Sequence, residues 1–210
     1  MKIAKQGWRF IITGIVVAII GALWLSTAGW VLIVFGAGFA AFSSYFFRDP
    51  DRPMPSDESK IYSPGDGKVL SVAQEGPGEV TTIRIFLSIF DVHVQRAPCS
   101  GRVDRIQYVP GSFAMAMRPE AMRNERNIVR IVAMGDREPV LVEQIAGFIA
   151  RRIECWVQED QIVRAGERYG MIRFGSQAAV HLPSGARPTV RPGDRAVGGV
   201  TVIGEWIEAN

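Results

Sequence analysis

Residues 128–145 have the sequence IVRIVAMGDREPVLVEQI, and this stretch indicates the fold. It contains two runs rich in branched residues, Ile128–Met134 and Val140–Ile145, with turn-forming Gly, Asp and Pro between them. Short runs of this composition, bounded by such turns, are typical of β-strands.

Further short runs of the same kind extend from residue 69 to residue 206, namely Val69–Val72, Thr81–Leu87, Val92–Val94, Val103–Val109, Arg152–Val157, Gly170–Phe174, Ala178–Leu182 and Val200–Trp206. No helical pattern alternates with them, which disfavours a parallel α/β sheet. We therefore expect a mainly β protein whose soluble domain is an antiparallel β-sandwich or barrel-sandwich-like fold.

A weak internal repeat supports this fold class. Val163–Arg168 and Val190–Arg195 both have the form Val-Arg-x-Gly-acid-Arg, and in each case a glycine and an apolar residue follow within three positions. Turns of this kind recur in lipoyl-like and barrel-sandwich domains, so the repeat predicts turns of the fold and not a site.

The N-terminal region has a different composition. It contains two apolar runs, Phe10–Leu25 and Trp30–Phe47, separated by the turn-forming residues 26–29. A bilayer crossing needs about 20 apolar residues, so residues 1–47 predict a membrane-associated helical hairpin, either two-pass or re-entrant. A cleaved signal peptide is disfavoured because a second apolar run follows the first directly.

Basic residues flank the hairpin on both sides, namely Lys2, Lys5, Arg9, Arg48 and Arg52. Under the positive-inside rule both ends lie in the cytoplasm. We therefore expect residues 48–210 to form a domain on the cytoplasmic side of the cell (inner) membrane.

Cysteine and histidine are scarce. Cys99 and Cys155 lack metal-ligand spacing and are expected to be reduced thiols, and His93 and His181 are too few for a histidine-based metal site. No metal and no nucleic-acid partner is expected.

Two segments carry candidate acid and base groups. If residues 90–95 form a strand, Asp91 and His93 share one face and could form an acid/base pair, although any polar strand face would look the same. Asp66 lies in a tight turn, Ser63–Lys68, where a role in satisfying backbone N–H groups is the default interpretation.

The pair Gly175-Ser176 admits more than one interpretation. It could be an ordinary turn, and the Gly-x-Ser-x-Gly elbow of a conventional serine hydrolase is missing. It could instead be a bond that the protein cuts itself: the Ser176 hydroxyl attacks the preceding carbonyl, and glycine lacks the Cβ that would hinder the attack.

Several ordered motifs together resemble the phosphatidylserine decarboxylase family in its short bacterial and archaeal (type A) form. The motifs are Tyr45–Pro50, Ser63–Gly67, Phe90–Val94 with Arg96–Pro98, Asn124–Asn127, Gln144–Gly147 with Ala150–Ile153, and Phe174–Ser176. Each is weak alone, but in this order and behind an apolar hairpin they are specific.

The resemblance implies self-cleavage between Gly175 and Ser176 into fragments 1–175 and 176–210. Ser176 would become a covalent pyruvoyl group, which is the cofactor. The mature enzyme would bind phosphatidylserine as a Schiff base on that group, release carbon dioxide and yield phosphatidylethanolamine. The partners implied are this lipid substrate, the membrane and the two fragments of the chain itself.

Residue roles also follow from the resemblance. Asp66 matches a residue tied to activation of the serine, and His93 matches the histidine of the decarboxylation step. Arg96 stands where longer relatives have a second histidine, so the base for cleavage is open: His93 could serve both steps, oriented by Asp66 or Asp91. Strand alternation places His181 away from Ser176 and predicts a structural role.

The segment Gly111–Asn127 interrupts the β pattern and contains three methionines. We interpret it as a loop with a short helix, and as a candidate lid that touches the acyl chain and the phosphate of the lipid. Core packing is the alternative role for these methionines.

Two other functions stay open from the sequence. One is a pyruvoyl decarboxylase of another amino-containing substrate, which the hairpin disfavours. The other is a membrane-anchored barrel-sandwich adaptor without catalysis, which leaves Asp66, His93 and Gly175-Ser176 unexplained. The sequence does not determine the oligomeric state, and a homo-oligomer is compatible with it.

Overall fold

The computed structural model describes residues 2–24, 26–75, 80–135, 137–148, 152–173 and 175–207. Phe174, Ala150 and Arg151, which belong to the motifs above, lie outside the described residues. The chain forms two compact units, Met1–Asp51 and Arg52–Asn210.

Two helices make up most of the first unit: α1 spans Trp8–Leu23 and α2 spans Thr27–Phe46. The predicted turn is shorter than expected, because residues 27–29 belong to α2. The Ser26 hydroxyl accepts a hydrogen bond from the Gly29 N–H at 3.3 Å, which caps the helix and starts it three residues early. Two helical segments are long and apolar enough to cross a membrane by length and composition alone: Lys5–Leu23, which is α1 with the 3₁₀ turn Lys5–Gly7 before it, and Thr27–Phe46, which is α2.

The helices pack closely because glycines face each other. A Cβ on Gly14 would lie 2.7 Å from the Gly36 carbonyl oxygen, and one on Gly36 would lie 2.5 Å from the Gly14 oxygen. Large apolar side chains on the other faces are exposed, among them Ile12, Trp30 and Phe35. Small residues inside the pair and apolar residues outside are typical of helices that associate in lipid.

The regular structure outside these two helices is mostly β-strand. They are β1 (Lys2–Ile3), β2 (Arg48–Asp49), β3 (Lys60–Tyr62), β4 (Gly67–Glu75), β5 (Val80–Leu87), β6 (Val94–Arg96), β7 (Gly101–Val109), β8 (Arg126–Ala133), β9 (Val140–Ile145), β10 (Ile153–Cys155), β11 (Ile162–Val163), β12 (Arg168–Ile172), β13 (Ser176–Leu182), β14 (Ala186–Pro188), β15 (Arg195–Ala196) and β16 (Val202–Trp206). β1 and β2 pair within the first unit.

An eight-stranded sheet, in the order β11-β7-β8-β9-β13-β5-β4-β15, dominates the second unit, with two three-stranded sheets, β10-β12-β6 and β14-β16-β3. All these pairings are antiparallel. Register shifts in β4 and β7 mark bulges, which bend a sheet. The predicted fold class, mainly antiparallel β with an N-terminal apolar hairpin, is confirmed.

The two copies of the internal repeat form the same turn. Gly166 and Gly193 both have a positive φ, and in each copy the acidic residue accepts the N–H three residues earlier: Glu167 from Arg164 at 2.9 Å and Asp194 from Arg191 at 2.7 Å. Only glycine adopts this backbone readily, which explains the shared Gly-acid pair.

Candidate active site

The central strand β13 begins at Ser176, between β9 and β5. Ser176 is fully buried, and its Oγ has no hydrogen-bond partner among the residues that the structure describes. Burying a hydroxyl without a partner costs free energy, so this serine is held in place at a cost. Gly175 precedes it with φ of 70°, a backbone conformation that favours glycine.

His93 lies beside Gly175 and is completely buried. Its Nε2 accepts a long hydrogen bond from the Gly175 N–H at 3.4 Å, and its Nδ1 lies 3.0 Å from the Asp91 carbonyl oxygen. A backbone N–H can only donate and a carbonyl can only accept, so these partners require the neutral tautomer with the proton on Nδ1. The basic lone pair of His93 therefore points toward the residue before Ser176.

The segment before His93 is a turn and not the predicted strand. β6 begins only at Val94, whereas Val92–Val94 was expected to be extended. The Asp91 N–H donates to the Ser88 carbonyl at 2.9 Å, and the Asp91 carboxylate accepts the Ser88 N–H at 2.8 Å, which closes the turn. Asp91 thus holds His93 through its backbone carbonyl, and strand alternation was the wrong basis for pairing them.

The Asp91 carboxylate has a second partner, the Arg195 guanidinium at 2.7 Å. Burial tends to raise the pKa of Asp91, but the hydrogen bonds from Ser88 and Arg195 outweigh it and hold the pKa below its ordinary value. Asp91 is therefore an ionised anchor between the turn and β15.

Acid should weaken this anchor. Because the pKa of Asp91 is lower in the folded state, the carboxylate stabilises the fold above the ordinary carboxyl pKa of about 3.9, and this contribution is lost as the pH falls through the lower folded value. In a chain with Ser176→Ala, thermal unfolding measured from pH 7 down to pH 3 should show a smaller acid-induced drop in Tm after Asp91→Asn. An equal drop in both proteins would contradict this role. Asp160→Asn, which removes an exposed partner of Arg102, is the control.

Asp66 is held in a different network. The Arg52 guanidinium donates to both carboxylate oxygens of Asp66, at 2.7 and 2.8 Å, and the Gly198 N–H donates to one of them at 2.8 Å. Arg52 also donates to the Gly198 carbonyl. The default interpretation, that Asp66 satisfies a backbone N–H, describes these contacts. Its role in activating Ser176 stays a prediction.

Arg96, at the position of the missing second histidine, is buried in β6. Its Nη1 donates to the Gly166 carbonyl at 2.8 Å and its backbone N–H to the Pro64 carbonyl at 2.8 Å. These contacts tie β6 to one of the repeat turns.

His181 occupies the other face of β13, as alternation predicts. Its ring nitrogens lie 2.9 Å from the Thr82 hydroxyl and 2.9 Å from a Glu143 carboxylate oxygen. Burial tends to raise the pKa of Glu143, but His181, Arg126 and Arg84 together lower it. His181 thus belongs to a hydrogen-bonded network with Thr82 and Glu143 on the face opposite Ser176.

A cavity of about 230 Å³ opens beside Gly175. Its lining is almost entirely apolar and consists of Phe86, Ile89, Met115, Ala116, Met117, Phe148 and Gly175. The segment Gly111–Asn127 supplies three of these residues and contains a 3₁₀ turn at Pro119–Arg123. Gln177, next to Ser176, donates to the Ala116 carbonyl and connects this segment to β13.

Sequence reasoning missed Phe86, Ile89 and Phe148. Phe86 lies inside a predicted strand, Ile89 directly precedes the Phe90–Val94 motif, and Phe148 lies between Gly147 and Ala150, outside the quoted motifs. The exposure of Phe148 beside the cavity is visible only in the structure.

A family model described as "Phosphatidylserine decarboxylase" matches residues 39–204. Similar curated proteins include one from Symbiobacterium thermophilum, 42% identical over 208 residues (96% of this chain, 94% of the relative), and one from Syntrophus aciditrophicus, 38% identical over 210 residues (97% of each). A protein from Granulibacter bethesdensis is 43% identical over 205 residues (93% of this chain, 82% of the relative). All three are named "Phosphatidylserine decarboxylase proenzyme".

The chain belongs to the phosphatidylserine decarboxylase family. The resemblance drawn from its motifs is thereby confirmed. In this member of the phosphatidylserine decarboxylase family, the structure brings Gly175, Ser176 and His93 together and places Asp91 behind the histidine.

Proposed function

We propose that this protein decarboxylates phosphatidylserine to phosphatidylethanolamine with a pyruvoyl group that it makes from Ser176. One observation carries the proposal: a buried serine hydroxyl, unpartnered among the described residues, follows a glycine of positive φ whose N–H faces the lone pair of a neutral histidine. An adaptor without catalysis has no use for this costly arrangement.

The self-cleavage can be written with all atoms accounted for. The Ser176 Oγ attacks the Gly175 carbonyl carbon while its proton leaves to a base, and collapse breaks the C–N bond and protonates the nitrogen to give an ester. Loss of the Ser176 Cα proton then breaks the Cβ–O bond and releases Gly175 as a carboxylate. The resulting enamine takes up a proton at Cβ to become an imine, and water hydrolyses the imine, releasing ammonia and leaving pyruvoyl on residue 176.

His93 is the proposed base for the first step. Its unprotonated Nε2 faces the Gly175 N–H, one residue from the attacking hydroxyl, and the Asp91 carbonyl fixes the tautomer. Asp66, held by Arg52, stabilises the turn Ser63–Lys68. Asp66 stays the candidate for activating the serine. The Ser176 site fits a pyruvoyl group because that group would remove the unpartnered hydroxyl.

Once formed, the pyruvoyl group supplies an electron sink for loss of carbon dioxide from an amino-acid headgroup. The surrounding residues bind and shield the substrate. The apolar cavity beside Gly175 excludes water, and its exposed methionines offer surface to an acyl chain. A free amino acid would leave this surface unused, which favours a lipid substrate.

The two fragments are expected to stay together after cleavage. β13 starts at the proposed cut and pairs with β5 and β9, and β16 pairs with β3. Fragment 176–210 therefore supplies strands to the eight-stranded sheet and to the sheet β14-β16-β3. The hairpin anchors the protein to the membrane, and the flanking basic residues favour a cytoplasmic domain at the inner membrane.

Purified chain incubated with phosphatidylserine vesicles tests the proposal. Intact mass should show fragments 1–175 and 176–210, the second with a hydrazine-reactive N-terminus, and phosphatidylethanolamine should accumulate. Faster release of carbon dioxide from free serine would favour the soluble-substrate decarboxylase, and a single uncut chain would favour the adaptor.

The methionines of the cavity should matter for the lipid and not for cleavage. We expect Met115→Ser with Met117→Ser to lower kcat/KM on vesicles by about 10-fold or more, because each loses apolar area worth about 25 cal/mol per Å². Activity on a short-chain soluble phosphatidylserine should change less. Met134→Ser, equally exposed but outside the cavity, is the matched control. Equal losses on both substrates would contradict the lid assignment.

A further inference from the structure

Gly147 lies directly opposite the proposed scissile bond. It follows β9, which pairs with β13 so that Ile145 is opposite Gln177. Two more residues along each antiparallel chain place Gly147 opposite Gly175. Both glycines lie outside the paired strands, and the cavity is lined by Gly175 and by Phe148, the residue after Gly147.

The space between these glycines is too small for a side chain. A Cβ on Gly147 would lie 2.0 Å from the Gly175 carbonyl oxygen and 3.1 Å from its carbonyl carbon. Real Cβ atoms essentially never come within 3.0 Å of a heavy atom, and here the atom is backbone and has no rotamer with which to move away. A Cβ built on Gly175 itself would meet nothing within 4 Å, so the close packing lies on the Gly147 side.

The oxygen that a Cβ on Gly147 would meet is the Gly175 carbonyl oxygen, on which negative charge develops when Ser176 attacks. Its carbon must become tetrahedral at that moment, which moves the oxygen and lengthens its bond. A displacement of about 1 Å at a reacting group can cost about 100-fold in rate. A side chain at residue 147 would force a displacement of this order on the carbonyl before the reaction starts.

We infer that Gly147 is a positioning residue for self-cleavage: its missing side chain leaves the space in which the Gly175 carbonyl is presented to the Ser176 hydroxyl. The inference rests on the proposed function, because it presupposes that this bond is cut. It concerns the first step, the transfer of the Gly175 acyl group from nitrogen to oxygen, and not the later elimination.

The test compares three glycine substitutions in the full chain, with cleavage followed by intact mass. Gly147→Ala should slow cleavage about 100-fold. Gly101→Ala creates the same kind of clash, 2.2 Å from the Val132 carbonyl oxygen, at the far end of β8 from this site. Gly185→Ala adds a methyl group in open space. Both controls should cleave at the wild-type rate in the soluble, folded fraction.

A second readout identifies the step that is blocked. Hydroxylamine cuts an ester but not a peptide bond, so it should release no fragments from Gly147→Ala if the acyl transfer is what fails. Release of fragments by hydroxylamine would place the block at elimination and overturn the inference. Folding is checked on the Ser176→Ala background, where every chain stays uncut and thermal unfolding compares like species.

The remaining outcomes distinguish failure of this inference from failure of the proposed function. Wild-type cleavage of Gly147→Ala overturns this inference alone, whereas an uncut wild-type chain overturns the proposed function. Equal loss of cleavage in Gly101→Ala, or failure of Gly147→Ala to fold on the Ser176→Ala background, means that the sheet and not the carbonyl needs the space, and this too overturns the inference.

Discussion

Ser176→Ala is expected to leave a single chain of 210 residues and to abolish decarboxylation. Without the hydroxyl no ester can form, and without the ester no pyruvoyl group is made, so activity should fall to the detection limit. The fold should survive, since Oγ makes no hydrogen bond with any described residue and its removal relieves a buried polar atom. Tm should therefore not fall below that of wild-type chain trapped before cleavage.

Intact mass and product formation from vesicles check this result together. Ser184→Ala, at an exposed serine soon after the same strand, is the matched control and should cleave and turn over normally. Activity in uncut Ser176→Ala would contradict the pyruvoyl proposal outright.

His93→Ala is expected to slow self-cleavage by about 100-fold to 10,000-fold, the usual contribution of a positioned general base. The reason is geometric: the histidine presents an unprotonated nitrogen to the N–H of Gly175, the residue whose carbonyl is attacked. His93→Gln should behave similarly while filling more of the buried site. Cleavage should be followed over time in freshly synthesised chain, and turnover measured per pyruvoyl group in whatever fraction matures.

The two readouts separate two roles. Slow cleavage makes His93 the base for maturation, and normal cleavage with lost turnover confines it to decarboxylation. His181→Ala is the control, because that histidine lies on the opposite face of β13 with Thr82 and Glu143. If His93→Ala and His93→Gln both cleaved and turned over normally, His93 would have neither role.

Periodicity predicted the sheet well where strands are regular. Val140–Ile145 has the predicted bounds, and β13 starts two residues before the predicted Ala178 because Ser176 and Gln177 are polar yet buried. It failed at Val92, where the Asp91 carboxylate closes a turn that alternation cannot reveal.

The sequence selected the residues of the candidate site but did not predict their contacts. Motifs selected Gly175, Ser176 and His93, while the pairing of Asp66 with Arg52 joins residues that are 14 positions apart in the sequence. The approach of Gly147 to Gly175 depends on the register between β9 and β13. Neither local propensity nor spacing along the chain contains that information.

The proposed cut lies at the start of a central strand, and this position would set an order of events. His93 comes from before β6, Gly147 from after β9 and Ser176 from the start of β13, so they meet only after the eight-stranded sheet has assembled. Folding must therefore precede maturation. Under the proposed function, a chain that misfolds gains no pyruvoyl group, and a chain that has matured cannot repeat the process because Ser176 has been consumed. Activation would therefore occur once in each chain and only after correct folding.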